Sequence, residues 1–147
     1  MCEAVRLSDN NATYIRCTEP AIIEAAKSGI PEVIEEIVYA LPLTIWSKSD
    51  GKGIFQWAVA NRCEKVFNII YQMGDHKQRL LKRLDDSKNH ILHLAGKLAP
   101  PHKLNLVSGA ALQMQREIQW YKVLTFYICN FLDFYFNFLD SLYAVYM

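Results

Sequence analysis

The chain has 147 residues, 52% of them hydrophobic and 21% charged, which suffices for one core and excludes overall disorder and a two-domain organisation. Sixteen Lys and Arg against fifteen Asp and Glu leave a net charge of +1, so no general electrostatic pull toward nucleic acid is expected. Cys2, Cys17, Cys63 and Cys129 show no C-x-x-C spacing, which argues against a structural zinc site and a disulfide framework. The opening residues lack a basic stretch followed by an apolar one, which predicts no secretory leader.

Residues 1–18 are expected to form a flexible N-terminal segment. After them three short stretches align: Ala21-Ile22-Ile23-Glu24-Ala25-Ala26, Ile54-Phe55-Gln56-Trp57-Ala58-Val59 and Ile91-Leu92-His93-Leu94-Ala95-Gly96. The small pairs fall at Ala25-Ala26, Ala58-Val59 and Ala95-Gly96, giving spacings of 33 and 37. A period near 33 with small residues inside a short apolar helix predicts stacked helix pairs whose inner helices approach closely, as in an ankyrin array. These six positions, with His93, are the expected repeat core.

Each unit is expected to add a second helix. Pro31 suits a first helical position, Glu32 favours the N-terminal dipole, and Val33, Ile34, Ile37, Val38 and Leu41 form an apolar stripe ended by Pro42. Val66, Phe67, Ile69, Ile70 and Met73 repeat the pattern, and Gly74 stops it. Asp50-Gly51 and Asp85-Asp86 occupy the turns before units two and three. Between those units Asp75 is expected to cap a short helix with Leu80, Leu81 and Leu84 inward. Its bases Lys77, Arg79, Lys82 and Arg83 then form either a solvated face, half neutralised by Asp85 and Asp86, or a contact for anionic lipid or nucleic acid.

No cofactor, metal or catalytic centre is expected. His90 and His93 share a helical face but lack a ligating partner at metal spacing, and His93 is assigned a structural backbone bond. Cys63 lies in a turn beside Arg62, where a bland thiol outweighs a reactive one. Asp50-Gly51-Lys52-Gly53 is too short for a phosphate loop. The chain reads as a non-enzyme.

Residues 100–122 predict a joining helix capped by Ser108. Ala111, Met114, Ile118 and Tyr121 step by 3, 4 and 3, placing them on one face expected to pack on the last repeat. Arg116 lies one turn before Trp120, within reach for a cation–π contact, and the two are candidate partner-binding residues.

From Val123 to Met147 there is no base, 19 of 25 residues are apolar, and Asn130, Asp133, Asn137 and Asp140 line one side. Twelve Leu, Ile, Val and Phe favour insertion by roughly 4–7 kcal/mol, against roughly 5–7 for two central Asp, so a lone span is nearly balanced. Three readings stand side by side: a marginal membrane helix, an apolar helix folded onto the repeats, and read-through sequence.

The core Asn89-His90-Ile91-Leu92-His93-Leu94-Ala95, followed by Gly109-Ala110-Ala111-Leu112-Gln113-Met114-Gln115-Arg116-Glu117-Ile118-Gln119-Trp120, resembles the plant ankyrin-repeat proteins that end in a PGG membrane module. The resemblance spans roughly residues 19–122. Pro-Gly-Gly occurs nowhere, so the chain is identified as a truncated member with about two and a half repeats in an all-α helix-pair solenoid at 19–99. It implies a protein-interaction scaffold in stress or defence signalling, on the cytoplasmic side of the plasma membrane. The expected partners are other proteins at the repeat surface, a full-length relative or a second copy, and a membrane through 123–147.

Overall fold

Helix α1, Cys2–Ser28, carries Pro20 in its interior. A computed structural model describes residues 2–131 of the chain, with side chains described from 12 to 130. The segment expected to be flexible is therefore helical from residue 2. Pro20 lacks the N–H that would continue the ladder, and just before it the Thr18 hydroxyl donates to the carbonyls of Tyr14 and Ile15, both at 3.0 Å. Ala12, Thr13 and Tyr14 are exposed, and the second half of α1 buries Ile22, Ile23, Ala25 and Ala26.

Gly29, at φ +80, turns the chain into α2, Pro31–Ala40, with Pro31 in the first turn as expected. A 3-10 turn, Pro42–Trp46, leads to a two-residue hairpin, β1 (Lys48–Ser49) and β2 (Lys52–Gly53). Both hairpin-turn residues have positive φ, Asp50 at 50° and Gly51 at 75°. That matches the twist of antiparallel strands and favours an Asp-Gly pair. A Cβ at Gly51 would sit 2.8 Å from Asp86, so this turn also admits the next one closely.

Helix α3, Ile54–Ala60, follows the hairpin, then α4, Glu64–Asn68, which tightens into a 3-10 segment, Ile69–Met73. Gly74, at φ 51°, ends it where a stop was expected. Helix α5, His76–Lys82, buries Leu80 and Leu81 but leaves Leu84 exposed. Asp75 lies in helical backbone conformation and its side chain makes no capping bond, so the expected cap is absent. Helices α6 (Ile91–Ala95), α7 (Pro101–Leu104) and α8 (Ala110–Phe131) complete the described chain.

The described residues are mostly helical, in two rows. Helix α3 lies between α1 and α6, while α2 packs on α4, and α8 packs against α6. One apolar cluster runs from Ile22 to Ile128 through Ile54, Val66 and Ile91. Burying a Leu or Ile side chain contributes about 1.5–3 kcal/mol.

Two boundaries differ from expectation. The first helical bond of α8 runs from the Gln113 N–H to the Gly109 carbonyl, at 3.1 Å, so Gly109 rather than Ser108 is the cap. At its other end α8 passes through Lys122 without interruption. Leu124 and Ile128 belong to the core, and the Tyr127 ring meets Tyr71 edge-on at 5.3 Å. The first nine residues of the expected tail are thus the last turns of the joining helix. Residues 132–147, with Asp133, Asn137 and Asp140, lie outside the described residues.

Candidate functional site

The site grows from the turn between α3 and α4. Arg62 sits there with φ 58°, in the left-handed region, which aims its side chain across the stack toward α8. Its guanidinium donates to the Val59 carbonyl at 2.9 Å, to the Lys97 carbonyl at 2.6 Å and to the Ala95 carbonyl at 3.3 Å. It also forms a two-point pair with Glu117 of α8, Nε to Oε1 at 3.1 Å and Nη2 to Oε2. Glu117 Oε2 further accepts the Ala99 N–H at 3.3 Å. The two side chains are 7% and 20% exposed. Such a forked pair is directional and strong when both partners are kept, so it fixes α8 against units two and three.

Outside this pair lies a cavity of about 240 Å³, lined by Arg62, Glu64, Arg116, Gln119, Trp120 and Val123. Arg116 and Glu64 are exposed, and the Trp120 Nε1–H is buried with no acceptor among the described residues. The cavity therefore offers the Arg116 guanidinium beside an apolar wall of Trp120 and Val123, with Glu64 and Glu117 as the acids of its lining. Arg116 and Trp120, the pair singled out in the sequence, both line it.

Other expected residues are placed differently. Ala25, Ala26, Ala58, Val59 and Ala95 are buried, whereas His93 and Gly96 are exposed. The Nδ1 of His93 accepts the His90 N–H at 3.1 Å, a cap within its own helix. The four bases of α5 do not act as one face. The Arg83 guanidinium turns inward, donates to the Trp46 carbonyl at 2.9 Å and lies 5.8 Å from that indole. Burial holds its pKa down, partly offset by Asp86. The Lys77 ammonium sits 5.7 Å over the Tyr71 ring, while Arg79 and Lys82 are exposed. The expected neutralisation is also redirected, because Asp86 pairs with Lys48 at 3.3 Å and Asp85 is buried in its own turn.

Cys63 is buried, its thiol pushed up by desolvation against a smaller opposing influence of Lys103, which disfavours a reactive thiolate. Among the described residues no group of three His, Cys, Asp or Glu could hold a metal ion. The face of Ala111, Met114, Ile118 and Tyr121, expected to pack on the last repeat, is exposed; α8 instead turns Gln113, Glu117, Trp120, Leu124 and Ile128 inward.

Sequence reasoning missed Arg62 and Glu117 as a pair, since 55 residues separate them. The available signal was Glu117 as the sole acid between Ala110 and Phe131. It also missed Gln56, which carries the bridge between units: its Oε1 accepts the Gly53 N–H at 2.7 Å and its Nε2 donates to the Arg83 carbonyl at 3.0 Å. The small pairs aligned Gln56 with His93, and that alignment was the signal. No protein-family model matches the chain, and neither the curated proteins nor the solved structures contain a match.

Proposed function

We propose that the chain is a non-enzymatic ankyrin-repeat scaffold that holds another protein, and that it is a relative of the plant ankyrin proteins ending in a PGG membrane module. The observation that carries this reading is the groove at Arg116 and Trp120, where an exposed guanidinium stands beside the apolar surface of Trp120 and Val123. Further support comes from stacked helix pairs with a positive-φ hairpin between the first two, and from α3 and α6, each opened by a side-chain cap at its third residue. Solenoids of this kind bind through extended surfaces and turn tips.

Its setting is membrane-associated stress or defence signalling. No helix among the described residues is long and apolar enough to cross a membrane. The functional test is proximity capture from plant membranes with wild type beside the double variant Arg116→Glu, Trp120→Ala. The expected result is a defined partner that loses at least about tenfold in recovery while the melting temperature stays unchanged. A captured set that ignores both substitutions overturns the reading. Flotation of residues 1–147 beside 1–131, not 1–122, tests the tether, because a cut at 122 removes core residues Leu124 and Ile128.

A further inference from the structure

The repeat units bury the same positions only when a neighbour is present. Ala25-Ala26 precedes Val33-Ile34 by the same eight residues by which Ala58-Val59 precedes Val66-Phe67, so α2 and α4 correspond residue by residue. In unit two Val66 is 0% exposed and Ile69 is buried; their counterparts in unit one are Val33, 39% exposed, and Glu36, also exposed. Ile54 is buried, and its counterpart Ala21 is exposed. The α1–α2 end of the stack is thus a face built like an interior one, with Glu24 and Glu36 on it.

The opposite end shows the complement. Val59 and Gln56 are buried under unit three, while their counterparts Gly96 and His93 are exposed. Beside Gly96 runs the open seam of α8: Met114, Ile118 and Tyr121 are 66%, 45% and 42% exposed. A Cβ at Gly96 would lie 3.9 Å from the Tyr121 ring, so inner and outer helices form one continuous edge. Its exposed charges are basic, Lys97 and Lys122, and the one acid of α8 in the described chain, Glu117, is held on the other side by Arg62.

We infer that the α6–α8 end of one copy takes the α1–α2 end of a second copy, continuing the stack head to tail. The interface joins Met114, Ile118 and Tyr121 to Val33 and Ala21, with Lys97 and Lys122 facing Glu24 and Glu36. Charge complementarity selects a second copy, because the acidic end and the basic end belong to the same chain. The two surfaces differ, so the contact is heterologous and does not close at a dimer.

The test is sedimentation velocity of the full 147-residue chain with two blocked variants, Ile118→Glu at one end and Val33→Lys at the other. Both positions are exposed, so neither change disturbs the core. Wild type is expected to grow beyond a dimer with concentration, each variant alone to remain monomeric, and their equal mixture to stop at a one-to-one dimer. Carbodiimide treatment of mixed heavy- and light-isotope copies is expected to join Glu24 or Glu36 of one to Lys97 or Lys122 of the other. The inference is overturned by a wild type that stays monomeric. It is equally overturned by a mixture of the variants that fails to pair, by association insensitive to both substitutions, or by aggregates whose cross-links lack those pairs.

Discussion

Units two and three use one pattern to different ends. In unit two Gln56 caps its own helix and reaches on to the Arg83 carbonyl, with both of its polar ends satisfied while buried. In unit three His93 makes the same local cap, but its ring lies exposed and stacks at 6.2 Å on His90. The inner helix of unit two is covered by α6; that of unit three is sealed on one side only, by α8, and leaves His93 and Gly96 exposed. Local sequence therefore builds the cap, and the neighbour decides whether the same position becomes a bridge.

The sharpest way to break the comparison is to remove the seal on unit three. Leu124 is fully buried on α8, and Leu124→Ala is expected to cost about 2–5 kcal/mol, read as a lower denaturant midpoint. The exposed Met114→Ala on the opposite face is expected to change stability by less than about 0.5 kcal/mol. Equal losses at both positions would mean that α8 packs through the other face.

The Arg62–Glu117 pair tests how α8 is oriented. Glu117→Ala leaves the guanidinium nearly buried without its carboxylate, at an expected cost of about 3 kcal/mol, the low end for a buried pair because Glu117 retains some exposure. Replacing both residues, Arg62→Met with Glu117→Leu, is expected to recover part of that loss. Chemical denaturation of the two single variants and the double measures the coupling. An additive cycle would show that the pair does not link unit two to α8.

Within the repeats, Gln56→Ala strands the buried Gly53 N–H and the Arg83 carbonyl and is expected to cost about 1–3 kcal/mol. His93→Ala exposes its former partner, the His90 N–H, to water and is expected to cost under about 1 kcal/mol. Unfolding midpoints of the two variants, measured side by side, report the contribution of a neighbour directly. If His93→Ala proves the costlier, the bridge belongs to unit three.

Legibility in the sequence follows the range of the interaction. The helix pairs, the Asp50-Gly51 turn and the Gly74 stop were readable because each is set by a few adjacent residues. The small pairs fixed the inner helices because close approach demands Ala or Gly at those positions. The face of α8 was misassigned because two stripes satisfy helical spacing: Ala111, Met114, Ile118 and Tyr121 are the more apolar, yet Glu117 on the other stripe is drawn inward by Arg62. The 1–18 and 122–123 boundaries failed for a related reason. Composition changes at both, but α1 runs through Pro20, and α8 runs past the last base because Leu124 and Ile128 have core to cover. In the candidate site Arg116 and Trp120 were visible as neighbours one turn apart, whereas Arg62 required knowledge of the stack.

The smallest expected effect lies in the turn before unit three. Asp85 is buried there; its Oδ1 accepts the Asn89 N–H at 2.7 Å and its Oδ2 the Asn89 amide at 3.1 Å. Burial alone would raise its pKa, but those bonds, the Ser87 N–H and the charge of Lys52 outweigh it and hold the carboxyl below its ordinary value. A carboxyl depressed in the folded state stabilises the fold above its unfolded pKa of about 3.9, and that contribution disappears as pH falls through the folded value. Melting temperature is therefore expected to decline below about pH 4 more steeply in wild type than in Asp85→Asn, which holds no ionisable group there. The hairpin before unit two is built differently: Asp50 is exposed, 3.9 Å from Lys27, and the turn rests on positive φ at Asp50 and Gly51. Parallel limbs for wild type and Asp85→Asn would place the acid sensitivity outside the turn before unit three. A flattened limb in Asp85→Asn would show that unit three depends on a buried charge where unit two relies on positive-φ geometry.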